Sequence, residues 1–368
     1  MRVFEGRESL ALNADETSRH GFAPIVRQPK APRVSVIIPY YKSLWSIERT
    51  LRSVMAQRFR DFEVLIIDDG SPDDLEQGIV PYRDAVRVVR QENRGLAGAR
   101  NRGIAESRGE FVAPLDADDL WHPDFLGEMV GALDSNPSAP FAFGDTLRID
   151  EEDRLLPDRI LNAEPRIDFA GLLSLNTVRS GSGAVFRRAA MQAAGGYDES
   201  LRERAAQGAE DWKLLVQLSA RASPVHVPRL LVAYRLVAGS MSQARPAHQL
   251  RAIEAVLGDL RAGFPDAPDQ LFRDARTMMI AWLLPAFLRK CDYLQALKQG
   301  ARAYLMNPLW WRNSNLRLAH LAWVRSMLRP GAVQPGLFSP LADYEEDGAR
   351  PFAFLNTTRG AADASAPA

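Results

Sequence analysis

One cysteine, Cys291, occurs in the 368 residues, so neither an intramolecular disulfide nor a cysteine-based zinc site can form. A reducing compartment suits such a chain, and a cytoplasmic protein is the expectation. An excess of charge is missing too. With 46 Lys and Arg against 46 Asp and Glu, there is no global electrostatic case for nucleic acid as a partner. Long hydrophobic runs are absent: the longest, MMIAWLLPAFL at 278–288, is too short to span a bilayer and contains Pro285. No secretory signal is read at the N-terminus, which has no apolar core ahead of a small-residue cleavage site. The histidines His20, His122, His226, His248 and His320 show no metal-ligand spacing. No G-x-S-x-G, Walker A or G-x-G-x-x-G element appears, so hydrolase, NTPase and dinucleotide chemistry lack their motifs.

What is present is an ordinary folded composition, 46% hydrophobic and 25% charged, enough for one large domain or two ordinary ones. Residues 1–33 are polar and aperiodic and are expected to be a leader or linker. VSVIIP at 34–39 predicts a buried strand. SIERTLRSVMAQ at 46–57 predicts a helix with Ser46 as its N-cap. FEVLIID at 62–68, VRVVRQ at 86–91 and FVAPLD at 111–116 predict further strands, with a helix over 96–107. Strands alternating with helices imply right-handed crossovers and a mainly parallel sheet, an α/β fold whose ligands bind at the carboxyl ends of the strands. Tyr40, Tyr41, Asp68, Asp69, Asp116 and Asp118 fall at those ends. Beyond residue 135 the pattern is mixed, with 209–221 the clearest helix. Residues 247–330 read as a helical C-terminal region, and 331–368 as a flexible tail rich in proline, glycine and alanine.

The most informative segment is FVAPLDADDLW at 111–121. A strand alternates its side chains, so Asp116 and Asp118 are expected to point the same way and Asp119 elsewhere. Two converging carboxylates with no lysine beside them repel unless a cation lies between them. Oxygen ligands suit Mg²⁺ or Mn²⁺, which usually completes its shell with substrate phosphates.

Other segments allow two readings each. IIDDGSPDD at 66–74 suits a tight turn, or a carboxylate that accepts a nucleobase ring N–H, which uracil, thymine and guanine offer and cytosine lacks. NRGLAGARNRG at 93–103 opens a helix with Arg94, Arg100 and Arg102, either solvated or bound to phosphate. Glu210 and Asp211 at a helix start complement its dipole, or one of them is a general base. NPLWWRNSNLRLAHLAWVRSMLRP at 307–330 mixes Trp310, Trp311 and Trp323 with arginines and no acid. It is either a packed helical subdomain or a peripheral contact with the inner face of a membrane.

Taken in order, VSVIIPYYK, EVLIIDDGSPDD, NRGLAGARNRG, FVAPLDADDLWHPDFL and GAEDWKLL resemble the family 2 glycosyltransferases. That resemblance covers about residues 34–242. It implies a GT-A fold over 34–246 and an inverting enzyme that moves a sugar from a nucleotide-diphosphate donor, UDP-linked by expectation, to a hydroxyl of a glycan or lipid-linked acceptor. By the resemblance, Pro39 and Tyr41 lie at the nucleotide, Tyr41 stacking on the base, and Asp69 binds the base N–H. Arg100 lies near the diphosphate. Asp118 ligates Mn²⁺ or Mg²⁺, with Asp116 on the ribose or the metal. Asp211 is the catalytic base with Glu210 the alternative, and Trp212 walls the acceptor site. Where many relatives have Y-R-x-H, this chain has Tyr234-Arg235-Leu236-Val237. The resemblance then implies either a weaker metal affinity or a substitute for the absent histidine in Arg235 or His248. Lys42 stands where asparagine is frequent. Two rivals are weighed. A sugar-phosphate nucleotidyltransferase would carry a glycine-rich basic loop where Tyr40-Tyr41-Lys42-Ser43 stands. A non-catalytic sugar-nucleotide-binding scaffold would have no need of Asp69, Asp118 and Asp211 together.

Overall fold

The computed structural model describes residues 32–156, 166–174, 176–237, 246–308 and 352. Its first strand, β1 (Val34–Tyr40), is buried along its whole length. Val36 and Ile38 enter one apolar cluster while Ile37 enters another, so successive side chains serve opposite faces of the sheet. A continuous apolar run without polar alternation is what such a doubly covered strand requires. β2 (Phe62–Asp68) repeats the pattern, with Val64 and Ile66 on one face and Leu65 and Ile67 on the other. Burying each of these Val, Ile or Leu side chains contributes about 1.5–3 kcal/mol.

Between these strands lie α1 (Ile47–Met55) and, after β2, the short α2 (Leu75–Ile79). β3 (Arg87–Arg90), α3 (Gly95–Glu106) and β4 (Phe111–Pro114) complete the N-terminal half. There follow β5 (Leu120–Trp121), α4 (Phe125–Ser135), β6 (Phe141–Ile149), α5 (Phe169–Ser174) and β7 (Ala184–Arg187). α6 (Arg188–Ala193), α7 (Ser200–Glu203), α8 (Glu210–Ser219) and β8 (Val225–Arg235) come next. Three helices close the described chain: α9 (Pro246–Gly263), α10 (Asp269–Arg289) and α11 (Tyr293–Met306).

The eight strands form one sheet in the order β3-β2-β1-β4-β7-β6-β8-β5. β3, β2, β1 and β4 are mutually parallel, as the alternating pattern predicts. β7 runs antiparallel to both β4 and β6, and β5 antiparallel to β8, while β6 and β8 pair parallel, so the sheet is mixed beyond β4. In the parallel half Tyr40 pairs with Asp68 and Asp68 with Arg90, which brings three strand ends to one edge.

The helical C-terminal region is not a separate body. α9 and α10 contribute Ile253, Val256, Leu257, Ile280 and Leu283 to the same core as Ile37 and Leu65. α10 runs through Pro285, and no described helix is long and apolar enough to cross a membrane. The segment from 309 to 330, with its tryptophans, lies outside the described residues, as do 1–31 and nearly all of 331–368.

Candidate active site

The aspartate loop begins where β4 ends, at Pro114, two residues earlier than the sequence pattern predicts. Strand alternation therefore does not place Asp116 and Asp118. A turn does, closed by the N–H of Asp119 donating to the carbonyl of Asp116 at 3.1 Å. The loop is held from beneath by α1. Ser46 Oγ donates to the carbonyl of Ala117 at 2.7 Å, and Thr50 Oγ1 donates to the carbonyls of Ala117 and Asp119 at 2.9 and 3.0 Å. Ser46 thus does not cap its own helix with its side chain, as expected from sequence; its hydroxyl is spent on the loop.

Asp119 is the loop's anchor. Fully buried, it accepts from Ser180 Oγ at 3.1 Å, Ser182 Oγ at 2.6 Å and the Arg235 N–H at 2.9 Å. Burial and the neighbouring Asp118 and Asp116 push its carboxyl well above the usual range. Arg235, with its side chain fully buried, adds a second brace. Its Nε donates to the carbonyl of Asp118 at 2.7 Å, and Nη2 pairs with Asp153 at 2.5 Å. Arg235 is therefore a structural tie for the loop and not the replacement for the absent histidine that the sequence suggests. His248 donates from Nε2 to the carbonyl of Gln207 at 3.1 Å.

With the loop fixed, Asp118 is partly exposed and has no side-chain ion pair among the described residues. Burial and the Asp116 charge push it up to about 6. Asp116 faces α3, where Arg100 Nη2 donates to its Oδ1 at 2.6 Å. Arg100 is 2% exposed, and its guanidinium lies 5.2 Å from the centre of the Tyr197 ring. On α8, Glu210 accepts the N–H of Gly208 at 2.6 Å, and Asp211 accepts its neighbour's N–H, that of Trp212, at 2.7 Å. Burial pushes Asp211 up to about 6; Glu210 and Asp116 repel its charge while Arg100 favours it. Asp116, Asp118, Arg100, Glu210 and Asp211 are thus one electrostatic neighbourhood drawn from α3, the β4 loop and α8.

Several expectations change here. Arg100 has almost no surface left for a phosphate, because its guanidinium is committed to Asp116. Arg94 and Arg102 are paired as well, with Glu199 at 2.6 Å and Glu106 at 2.9 Å. Trp212 is 3% exposed and donates its indole N–H to the carbonyl of Leu172 at 2.8 Å, so it packs the core instead of walling an acceptor site.

At the nucleotide end, Pro39 is an interior β1 residue paired with Ile67. Tyr41 is 45% exposed just past the strand, with the Lys42 ammonium 5.2 Å from its ring centre. Asp68 closes the turn by accepting the Ser71 N–H at 2.8 Å and pairs with Arg90 at 3.2 Å. Asp69 holds the start of α3: Oδ1 accepts from Gln91 Nε2 and the Arg94 N–H, both at 2.8 Å, and Oδ2 from the Gly95 N–H at 2.8 Å. A carboxylate offers about four acceptor positions, so roughly one remains, on Oδ2.

Sequence reasoning assigned no role to Gly181, Ser180, Ser182, Tyr197 or Asp119. The alternation Ser180-Gly181-Ser182-Gly183 was the available signal, since two hydroxyls on one side of a chain can serve a single buried acceptor. A cavity of about 470 Å³ lined by Asn101, Gly196, Tyr197, Lys213 and Gln217 shares only Tyr197 with the cluster.

Residues 35–195 match the family described as glycosyl transferase family 2. This stretch, under half of the chain, is similar to the family 2 glycosyltransferases. It is 45% identical over 101 residues to the succinoglycan biosynthesis protein ExoW of Rhizobium meliloti, a stretch covering 26% of this chain and 32% of that one. Matches with curated relatives span 18% to 55% of their lengths. The fold is GT-A. Its likeness to S. aureus TarS in complex with UDP-GlcNAc has a TM-score of 0.56 at 18% identity, covering 80% of this chain and 88% of that one. Likeness to the mannosyltransferase PcManGT of Pyrobaculum calidifontis, in complex with GDP-Man and Mn²⁺, has a TM-score of 0.51 at 18% identity over 86% of each chain.

The donor set suits a hard divalent cation. No cluster of three or more His, Cys, Asp or Glu side chains fit to hold a metal occurs among the described residues. Asp118 and Asp116 could supply one or two carboxylates, which is the usual protein share when phosphates complete the shell.

Proposed function

We propose that this chain transfers a glycosyl group from a nucleotide-diphosphate sugar to an acceptor hydroxyl, with inversion at the anomeric carbon. The observation that carries the reading is the buried Arg100–Asp116 pair at 2.6 Å beside Asp118 and the α8 start that holds Asp211, whose carboxyl burial pushes up to about 6. A base so poised is ionised at neutral pH yet holds a proton better than an ordinary carboxylate. Asp211 takes the proton of the acceptor hydroxyl, the freed oxygen pair forms the bond to the anomeric carbon, and the bond to the diphosphate oxygen breaks with its electrons. A single displacement needs no covalent enzyme intermediate. Mg²⁺ or Mn²⁺ held by Asp118, with Asp116 beside it, would supply positive charge for the departing diphosphate.

Arg100, a fixed buried cation paired with Asp116 at 2.6 Å, also favours the ionised form of Asp211. Tyr41, half-exposed at the end of β1, offers a stacking face for a base. The remaining acceptor position on Asp69 suits a ring N–H, which favours uracil, thymine or guanine over cytosine. Of the two solved structures named above, one is in complex with UDP-GlcNAc and the other with GDP-Man, which supports a nucleotide-diphosphate donor without choosing between them.

The test is release of nucleoside diphosphate from a panel of UDP-, GDP-, dTDP- and CDP-sugars, with wild type and Asp211→Asn. Release from one class, lost in the variant while donor binding persists, is the expected result. Equal loss of binding and release would remove Asp211 from the base role.

A further inference from the structure

α11 presents an apolar stripe to solvent. Leu294, Leu297 and Leu305 are 75%, 71% and 84% exposed, and Tyr293 is 64% exposed. Their spacing, with exposed Ala301 filling the gap, keeps them on one side of the helix while Ala296, Gln299, Gly300 and Ala303 face inward. A single exposed leucine is ordinary, but several aligned with an exposed tyrosine mark an interaction surface.

The charge pattern says what kind of partner fits. Lys298 lies on the exposed side of the same helix, Arg302 pairs with Glu254 of α9 at 3.2 Å, and α11 itself has no acidic residue. From Tyr293 to Ala342 the sequence contains six Lys and Arg and no Asp or Glu, although the whole chain is neutral. A protein partner selected by the apolar stripe alone would not require this segregation. An anionic bilayer surface would, because it takes leucine and aromatic side chains into its interface and attracts lysine and arginine beside them.

We propose that the outer face of α11 docks this enzyme on an anionic membrane surface, with Tyr293, Leu294, Leu297 and Leu305 entering the interface and Lys298 at the headgroups. The helix lies along the surface and does not cross it. The inference stands apart from the donor chemistry: a protein that binds no sugar nucleotide could still dock in this way.

Cys291, exposed in the turn before α11 and the chain's single thiol, is a ready label position. The full chain, labelled there with an environment-sensitive fluorophore, is mixed with vesicles of phosphatidylcholine alone or of equal parts phosphatidylcholine and phosphatidylglycerol. A blue shift and co-sedimentation with the anionic vesicles only, weakened by added salt, are expected. Leu294→Glu and Leu297→Glu should each lower the partition coefficient about tenfold or more. Lys298→Glu should lower it on anionic vesicles only. Both vesicle types bound equally, neither bound, or glutamate variants binding like wild type would each overturn the proposal. So would a concentration-dependent dimer in sedimentation velocity that Leu297→Glu abolishes, since the face would then belong to a second copy. Leu305→Glu, furthest from the hairpin turn, serves if another variant lowers the melting temperature.

Discussion

A Cβ added to Gly181 would stand 2.3 Å from Nη2 of Arg100. The guanidinium therefore fills a slot with the Gly181 backbone on one side and the Tyr197 ring 5.2 Å away, and it leaves that slot only toward Asp116. Gly181→Ala should force Arg100 off its pairing with Asp116. We expect a loss of about 1–3 kcal/mol of stability from overpacking and a far larger fractional loss of turnover. Urea denaturation beside diphosphate release checks both. Wild-type turnover in the variant would show that the slot does not position the cluster.

Removing the cation should matter more than crowding it. Arg100→Ala leaves Asp116, Asp211 and Glu210 without their buried counter-charge, and breaking such a pair costs about 3–5 kcal/mol. The loss should be smaller at acidic pH, where the orphaned carboxyls can protonate. Because Arg100 favours the ionised form of Asp211, the acid limb of the rate profile should also move to higher pH in any variant that retains turnover. Denaturation curves at two pH values, with a pH–rate profile, test this.

Asp211→Asn should separate stability from activity. The wild-type carboxyl is raised from 3.8 to about 6 in the folded chain, so between those values the folded state binds more protons than the unfolded one. Stability is then fully present below the lower value and falls as pH rises through about 6. The uncharged variant escapes that penalty, on the order of 3 kcal/mol at neutral pH. Its melting temperature should exceed wild type at neutral pH and match it near pH 3, while turnover collapses. A variant less stable than wild type at neutral pH would contradict the buried-charge account.

Lys42 adopts φ +54°, in the left-handed region where asparagine is tolerated better than lysine. This explains physically why the resembling family often has asparagine there. Lys42→Asn should raise stability by about 0.5–1 kcal/mol. Urea denaturation checks it, and a lowered midpoint would show that the Lys42–Tyr41 contact outweighs the strain.

The parallel half of the fold was legible because its strands are buried on both faces. Continuous apolar runs such as VSVIIP and FEVLIID have few other places to go. Asp116, Asp118, Glu210 and Asp211 stand out as candidates for a related reason, since they fall just beyond a strand or at a helix start. What the sequence hid is which charges are spent on each other. Arg100 and Asp116 are 16 residues apart, and nothing in their spacing says that they pair. Asp119 looked like the spare member of its triplet, yet it ties Ser180, Ser182 and Arg235 to the loop through contacts across 61 to 116 residues. Trp212 looked placed for an acceptor because Asp211 is its neighbour. One step along a helix turns a side chain by about 100°, which carries this one into the core.

The most direct test of the central claim is isothermal titration of UDP, dTDP, GDP and CDP into wild type and Asp118→Ala, with and without Mn²⁺. The account predicts that one of the three nucleotides with a ring N–H binds wild type in a Mn²⁺-dependent way, and that Asp118→Ala abolishes the dependence. No binding of any nucleotide by folded wild-type protein, or Mn²⁺-dependent binding unchanged in Asp118→Ala, would contradict it.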